Sequence, residues 1–114
     1  MISFACKQID FKELVQCSFE LNKTEYDLFM FLLSSKENLC VSSISKLLKK
    51  DRTTIQKAVK KLLQKELVLK HQVNLENGGY VYVYNIRDKQ LIRNKLLNIV
   101  ESWYKQVVNY VDKW

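Results

Sequence analysis

Glycine occurs at two adjacent positions, Gly78 and Gly79, and proline nowhere in the 114 residues. These residue types are the strongest local breakers of regular structure, so little besides polar caps and this one glycine pair can end an element. The pair closes NLENGG, residues 74–79, directly ahead of YVYVYNI. Tyr80, Tyr82 and Tyr84 alternate with Val81 and Val83, the period of a strand with two distinct faces. On the other side, Leu67 to Val73 is rich in aliphatic and β-branched residues, which suit a strand. Asn77, Gly78 and Gly79 tolerate the positive φ that hairpin turns require. One two-stranded hairpin is therefore expected in an otherwise helical chain.

Polar caps mark the helices. Asp10 can begin a short helix over Ile9 to Cys17, with Glu13 at capping-box spacing, and Asn22 with Glu25 repeats the signature ahead of YDLFMFLL. Leu21 and Tyr26 have the spacing of a hydrophobic staple, and Leu28 to Leu33 is apolar on every side, so that helix should be the most buried. VSSISKLLKK follows a polar loop through Lys36, Glu37 and Asn38. Its spacing predicts a short helix with Ile44, Leu47 and Leu48 inward, capped by Ser42 or Cys40. Asp51 is placed to cap the next helix, from Arg52 to Lys65. Asp88 can cap a last helix running to about residue 112. Two short helices joined by a tight turn and followed by a hairpin are the element order of a winged helix. The expected fold is mostly α with a two-stranded β-hairpin (α+β). It is a winged helix-turn-helix core over 20–87 with a long C-terminal helix over 88–114, in a single domain of 1–114.

The net charge of +7 is concentrated. Between Ser42 and His71 stand nine basic residues and two acidic ones, so this window holds all of the excess, as expected of an anion-binding surface. On a helical wheel Ile55, Ala58, Val59, Leu62 and Leu63 share one side. Thr53, Lys57, Lys60 and Gln64 centre the other, flanked by Gln56 and Lys61, and no acidic residue interrupts Arg52 to Lys65. Lysine commonly fills exposed helix positions, but here the usual i,i+4 acidic partners are missing. Double-stranded DNA is the anion that a recognition helix fits, because the helix enters the major groove and its first residues reach base edges. Thr53, Thr54, Gln56 and Lys57 are the expected base readers. Ser42, Ser43, Lys46, Arg52, Lys60, Lys61 and Lys70 are the expected phosphate contacts, which position without reading sequence.

In the last helix Leu96, Val100, Trp103, Val107, Tyr110 and Trp114 recur at spacings of four and three, a heptad seam widened by Leu97, Tyr104 and Val111. The stripe is wider than one small core needs. It is expected to join two copies of the chain as a homodimer, the alternative being that it packs back along the chain's own first helices.

Other functions find little support. A lone histidine, His71, and irregularly spaced Cys6, Cys17 and Cys40 make no metal-ligand pattern, and neither clustered carboxylates nor a phosphate-cradling glycine loop is present. No enzyme activity, metal or cofactor is expected, and the residues name no effector. No apolar run approaches the roughly 18 residues a membrane span requires, and MISFACKQID lacks the plan of a secretory signal, so a cytoplasmic protein that does not enter membranes is expected. A different reading keeps the winged helix but uses it to bind other proteins of a transcription-related complex.

ISKLLKKDRTTIQKAVKKLLQKELV, followed by GGYVYVYNI and then SWYKQVV, resembles small archaeal winged-helix transcription regulators of the TrmB-like group, and more loosely the MarR family. The resemblance implies that Arg52 to Lys61 is the recognition helix, the hairpin the wing, and the last helix the dimer contact. It also implies glycine where Lys49 and Glu66 stand, so those helix ends are expected to close differently here. The wing tip, with Asn74, Glu76 and Asn77, has no arginine for a minor groove, and its tyrosine row is expected to be covered by the last helix. The larger sugar-sensing members carry a separate C-terminal ligand domain that is not seen in this chain, so no sugar site is expected.

Overall fold

The computed structural model describes residues 1–114. A small antiparallel hairpin, β1 (Ile2–Phe4) with β2 (Lys7–Ile9), precedes helices α1 (Phe11–Phe19), α2 (Lys23–Ser34), α3 (Val41–Leu48) and α4 (Arg52–Gln64). Strands β3 (Val68–Asn74) and β4 (Tyr80–Ile86) form the second hairpin, and α5 (Lys89–Lys113) ends the chain. This is a winged helix with a long C-terminal helix. Contacts group it into two compact units, Asn22–Lys89 and a second made of Met1–Leu21 with Gln90–Trp114. None of the helices is long and apolar enough to cross a membrane.

Within the first unit, α4 is the hub. Its Ile55, Ala58, Val59 and Leu62 are buried, as are Leu28, Phe29 and Leu32 of α2 and Ile44 of α3, and α4 packs on α2, α3 and β3. The helical spacing of these residues is what lets one side of each helix be dry. Leu47 departs from expectation: it is 59% exposed, while Ile44 is fully buried. An eight-residue helix turns too few times to bury more than a narrow stripe, and Ile44 takes its centre.

Caps close the helices largely as the sequence implies. Asn22 accepts from the Glu25 N–H at 2.8 Å while Glu25 Oε1 accepts from the Asn22 N–H at 2.9 Å, a complete capping box. Asp10 caps α1 and Asp51 caps α4, whereas Cys40 precedes α3 without a side-chain cap bond. Helix α1 begins at Phe11, after its Asp10 cap, rather than at Ile9, which pairs in β2 instead, and it runs to Phe19, two residues past the expected end.

Three helices end on left-handed residues that are not glycine: Glu20 (φ 57°), Lys49 (φ 57°) and Glu66 (φ 59°). Each is followed by the bond that defines a Schellman motif, Leu21 N–H to Gln16 O at 2.8 Å, Lys50 N–H to Ser45 O at 3.1 Å, and Leu67 N–H to Leu62 O at 3.0 Å. The expectation that α3 and α4 close differently is thus corrected. They adopt the closure glycine would favour and bear the steric cost of a Cβ, about 1 kcal/mol each. At the ends of α1 and α4 the next residue, Leu21 or Leu67, is buried, and that burial holds the strained turn in place. Lys50 instead has its carbonyl accept from Ser45 Oγ at 2.8 Å.

The second hairpin pairs Asn74 with Tyr80 and Val68 with Ile86. Gly78 (φ 91°) and Gly79 (φ 78°) make the turn, with Leu75 N–H donating to Gly79 O at 3.0 Å. Leu39, in the loop after α2, forms an antiparallel bridge with Tyr84 through bonds of 3.1 and 2.8 Å. This bridge anchors the base of the wing to the helix-turn-helix. Tyr84 and Val83 are buried there, but Tyr80 and Tyr82 stay exposed. A fully covered tyrosine row is therefore not what forms; a strand that projects past its core can bury only its base.

Lys49→Gly should relieve the left-handed strain and stabilise the protein by about 0.5–1 kcal/mol, after allowing for the greater freedom of the unfolded chain. The check is a higher urea midpoint at unchanged slope. Hydrogen bonds from the Thr54 hydroxyl and then its backbone N–H, with Lys57 nearby, hold the Asp51 carboxyl below its ordinary range. A depressed carboxylate contributes stability in full above its unfolded value, about 3.9, and loses it as pH falls through the lower folded value. Below about pH 4 the wild type should accordingly lose stability more steeply than Asp51→Asn, which keeps a capping oxygen without the charge; parallel decline in denaturant titrations would contradict this.

Candidate nucleic-acid interface

Burying one side of α4 fixes what its other side presents. Arg52, Thr53, Gln56, Lys57, Lys60 and Gln64 are exposed, and Lys61 is half-buried at the margin. A shallow groove lined by Val41, Arg52, Thr53, Gln56 and Lys57 brings the start of α3 to the first two turns of α4. Four of the residues expected to meet DNA thus share one concave surface. Thr54 behaves differently from its neighbours. It is half-buried and donates both its hydroxyl proton and its backbone N–H, the latter at 3.2 Å, to Asp51. With that hydroxyl serving the cap, Thr53, Gln56 and Lys57 are the polar side chains displayed outward.

The residues expected to clamp phosphates are distributed over three elements. Lys46 of α3 is exposed, while Ser42 and Ser43 are half-buried in its first turn. Ser43 Oγ lies 3.3 Å from Cys40 Sγ. The Ser43 hydroxyl and then its backbone N–H lower the Cys40 thiol below its ordinary range, against a smaller opposing effect of burial. Lys60 and Lys61 follow one another along α4. Lys70 stands on β3, its ammonium 4.0 Å from the centre of the Tyr82 ring. A cation held over an aromatic face keeps its outer side available to an anion, and Tyr80 packs edge-on against the same ring at 5.4 Å. Leu75, Glu76 and Asn77 at the wing tip are exposed, and Gln72 Nε2 donates to Asn74 Oδ1 at 3.3 Å.

Sequence reasoning did not find two lining residues. A second hollow beside the first turns of α4 is formed by Asn22, Thr24, Glu25, Thr54, Lys57 and Ala58. It sets the start of α2 against α4, so Thr24 joins the polar surface, and Glu25 brings a carboxylate into the same hollow as Lys57. Val41 likewise enters the groove wall only through the turn between α3 and α4. Neither has a local signal, because residues some 30 and 15 positions away become neighbours only after α2, α3 and α4 pack.

Helix α5 carries a separate apolar surface. Leu96 and Val100 are half-buried, whereas Trp103 and Val107 are exposed, as are Tyr110 at 78% and Trp114 at 96%. Trp103, Val107, Tyr110, Val111 and Trp114, with Gln106, line one hollow along the helix. The expected seam residues from Trp103 onward therefore share one face.

Residues 15–90 match the family described as sugar-specific transcriptional regulator TrmB. A solved structure described as a possible transcriptional regulator from Methanosarcina mazei Go1 is 36% identical; the match covers 100% of this chain and 96% of that one, with a TM-score of 0.92. An uncharacterised protein of Methanocaldococcus jannaschii is 31% identical over 95% of this chain and 85% of its own. The MepR–DNA complex of S. aureus, 12% identical, shares the fold with a TM-score of 0.55 over 90% of this chain and 78% of that one. Fold and family are those of transcriptional regulators rather than of enzymes. The helix-turn-helix, the wing and the family match over residues 15–90 lead to one conclusion: this chain belongs to the TrmB family of transcriptional regulators.

Proposed function

We propose that this protein is a homodimeric regulator that binds double-stranded DNA at specific sites, with α4 in the major groove. The observation that carries the proposal is the outward face of α4. Arg52, Thr53, Gln56, Lys57 and Lys60 stand exposed there on a helix with no acidic residue of its own. In this reading Thr53, Gln56 and Lys57 meet base edges: a Gln amide can pair with adenine, a Lys ammonium can donate to guanine, and a Thr methyl can pack on thymine. Thr54 acts through Asp51, by fixing the first turn of α4 that presents the readers. Arg52, Lys46, Lys60, Lys61 and Lys70, with Ser42 and Ser43, contact phosphates on either side. MepR, a protein of the same fold, is found bound to DNA, which supports nucleic acid as the partner.

The homodimer rests on α5. A row of large apolar residues in water is unfavourable by roughly 25 cal/mol for every Å², and the row from Trp103 to Trp114 has the spacing of a helix-pairing seam. A two-fold dimer matches a pseudo-palindromic site whose half-sites lie one turn of DNA, about 34 Å, apart.

If each protomer neutralises about three phosphates, log affinity should fall against log salt with a slope of roughly −5. Gln56→Ala with Lys57→Ala should weaken binding to the preferred site by about tenfold or more while changing affinity for random DNA far less. Fluorescence anisotropy with selected and random duplexes measures both. A basic face that shows no preferred site in such a selection, yet retains an acidic protein partner, would indicate a protein-binding module instead. Val107→Glu with Tyr110→Glu should convert the dimer to a monomer on sizing and lower operator affinity, because two half-sites would then be bound independently.

A further inference from the structure

The hairpin of β1 and β2 stands before any element with a role in the winged helix, and no strand was expected in its sequence. Three-residue strands in isolation are not stable in water, so something must cover a face of this one. Ile2 pairs with Ile9 and Phe4 with Lys7. Side chains of one strand alternate between faces, so Ile2, Phe4, Lys7 and Ile9 share one face while Ser3 and Gln8 share the other. On the first of these faces the Phe4 ring lies 6.0 Å from the Trp103 ring of α5, tilted by 54°. That contact leaves both rings largely open, Phe4 at 55% and Trp103 at 51%. Met1, Ile2 and Phe11 are exposed around the hairpin as well.

We propose that the β1–β2 hairpin is part of the interface between two copies of this chain, and that Phe4 with Trp103 forms an aromatic centre on which the second copy seats. The inference rests on the reading of α5 as the dimer helix and extends that surface by one element. Continuity is the first argument. Trp103 is the first exposed residue of the seam, and its ring is shared between the seam and the hairpin, so whatever covers one must border the other. Charge is the second. Residues 101–114 contain Glu101, Lys105, Asp112 and Lys113, two of each sign, and Lys105 already lies 3.4 Å from Glu101. The chain's excess positive charge falls between Ser42 and His71. Two identical surfaces can meet on residues 101–114 without the repulsion that two basic faces would suffer, as a two-fold interface requires. Composition is the third: exposed Trp, Tyr, Phe and Met are the residue types that concentrate at the centre of protein interfaces, and aromatic anchors carry most of the binding energy there.

The test is the dimer dissociation constant of the full chain, measured by sedimentation over a wide concentration range. Phe4→Ala should raise it at least tenfold, an effect typical of an aromatic anchor. Phe4→Tyr, which keeps the ring, should remain within about threefold, and Ser3→Ala, on the opposite face, within about twofold. Phe4 is more than half exposed, so the urea midpoint of the monomeric Val107→Glu, Tyr110→Glu protein should hardly change when Phe4→Ala is added; a large fall would assign Phe4 to the fold instead and overturn the proposal. A wild type that dimerises, with Phe4→Ala dimerising as tightly, would remove the hairpin from the interface and leave the α5 dimer standing. A wild type that is monomeric throughout would remove both.

Discussion

Everything this protein presents to a partner from its winged helix depends on how one side of α4 is held dry. Ile55, Ala58, Val59 and Leu62 are buried with residues of α2 and α3, and a rigid helix buried along one stripe has its opposite stripe oriented without further interactions. The readers proposed for DNA are therefore positioned by residues that would never touch it. Mobility of the polar side chains does not loosen the site, because the backbone carrying them belongs to the best-packed part of the chain. Closure of α4 belongs to the same constraint. Glu66 occupies a left-handed conformation, and the buried Leu67 immediately after it turns the chain into β3.

That arrangement concentrates strain in the connections rather than in the helices. With no proline and a single glycine pair, the chain makes three left-handed helix ends from Glu20, Lys49 and Glu66. Each is sustained by backbone bonds that satisfy otherwise orphaned carbonyls, and two of the three also by a buried leucine. The glycines are used where the geometry is more extreme, at φ 91° and 78° in the wing turn. Charged residues at the helix ends also keep the turn between α3 and α4 inside the basic window, which a glycine there would dilute.

The chain separates its two proposed contacts by chemistry. The net charge lies between Ser42 and His71, while the neutral stretch of α5 from Glu101 onward carries the large apolar residues. A polyanion and a second copy of the chain would then compete little for the same surface, since each is disfavoured by what the other prefers: a basic face repels its copy, and an apolar seam offers a phosphate nothing to bind.

Local patterns were enough to place most elements. The polar helix caps, the period-two tyrosine strand and the glycine pair each act within a few residues, so α2, α4, β3, β4 and α5 could be read directly, as could the apolar side of α4 and the charge opposite it. What could not be read is what depends on residues distant in the chain. The β1–β2 hairpin has three-residue strands and a turn through Ala5 at φ 49°, too short for periodicity to reveal, and its Phe4 meets Trp103 from the far end of the chain. Leu47 looked inward from its spacing, yet Ile44 filled the only buried position that α3 offers. The bridge from Leu39 to Tyr84, and the groove that joins Val41 to Gln56, exist because α2, α3 and α4 pack as they do. Sequence alone determined which residues could lie on one face of each element, since that follows from helical and strand periods. Tertiary structure decided which of those faces met, because burial is shared between elements and the space against one neighbour is limited.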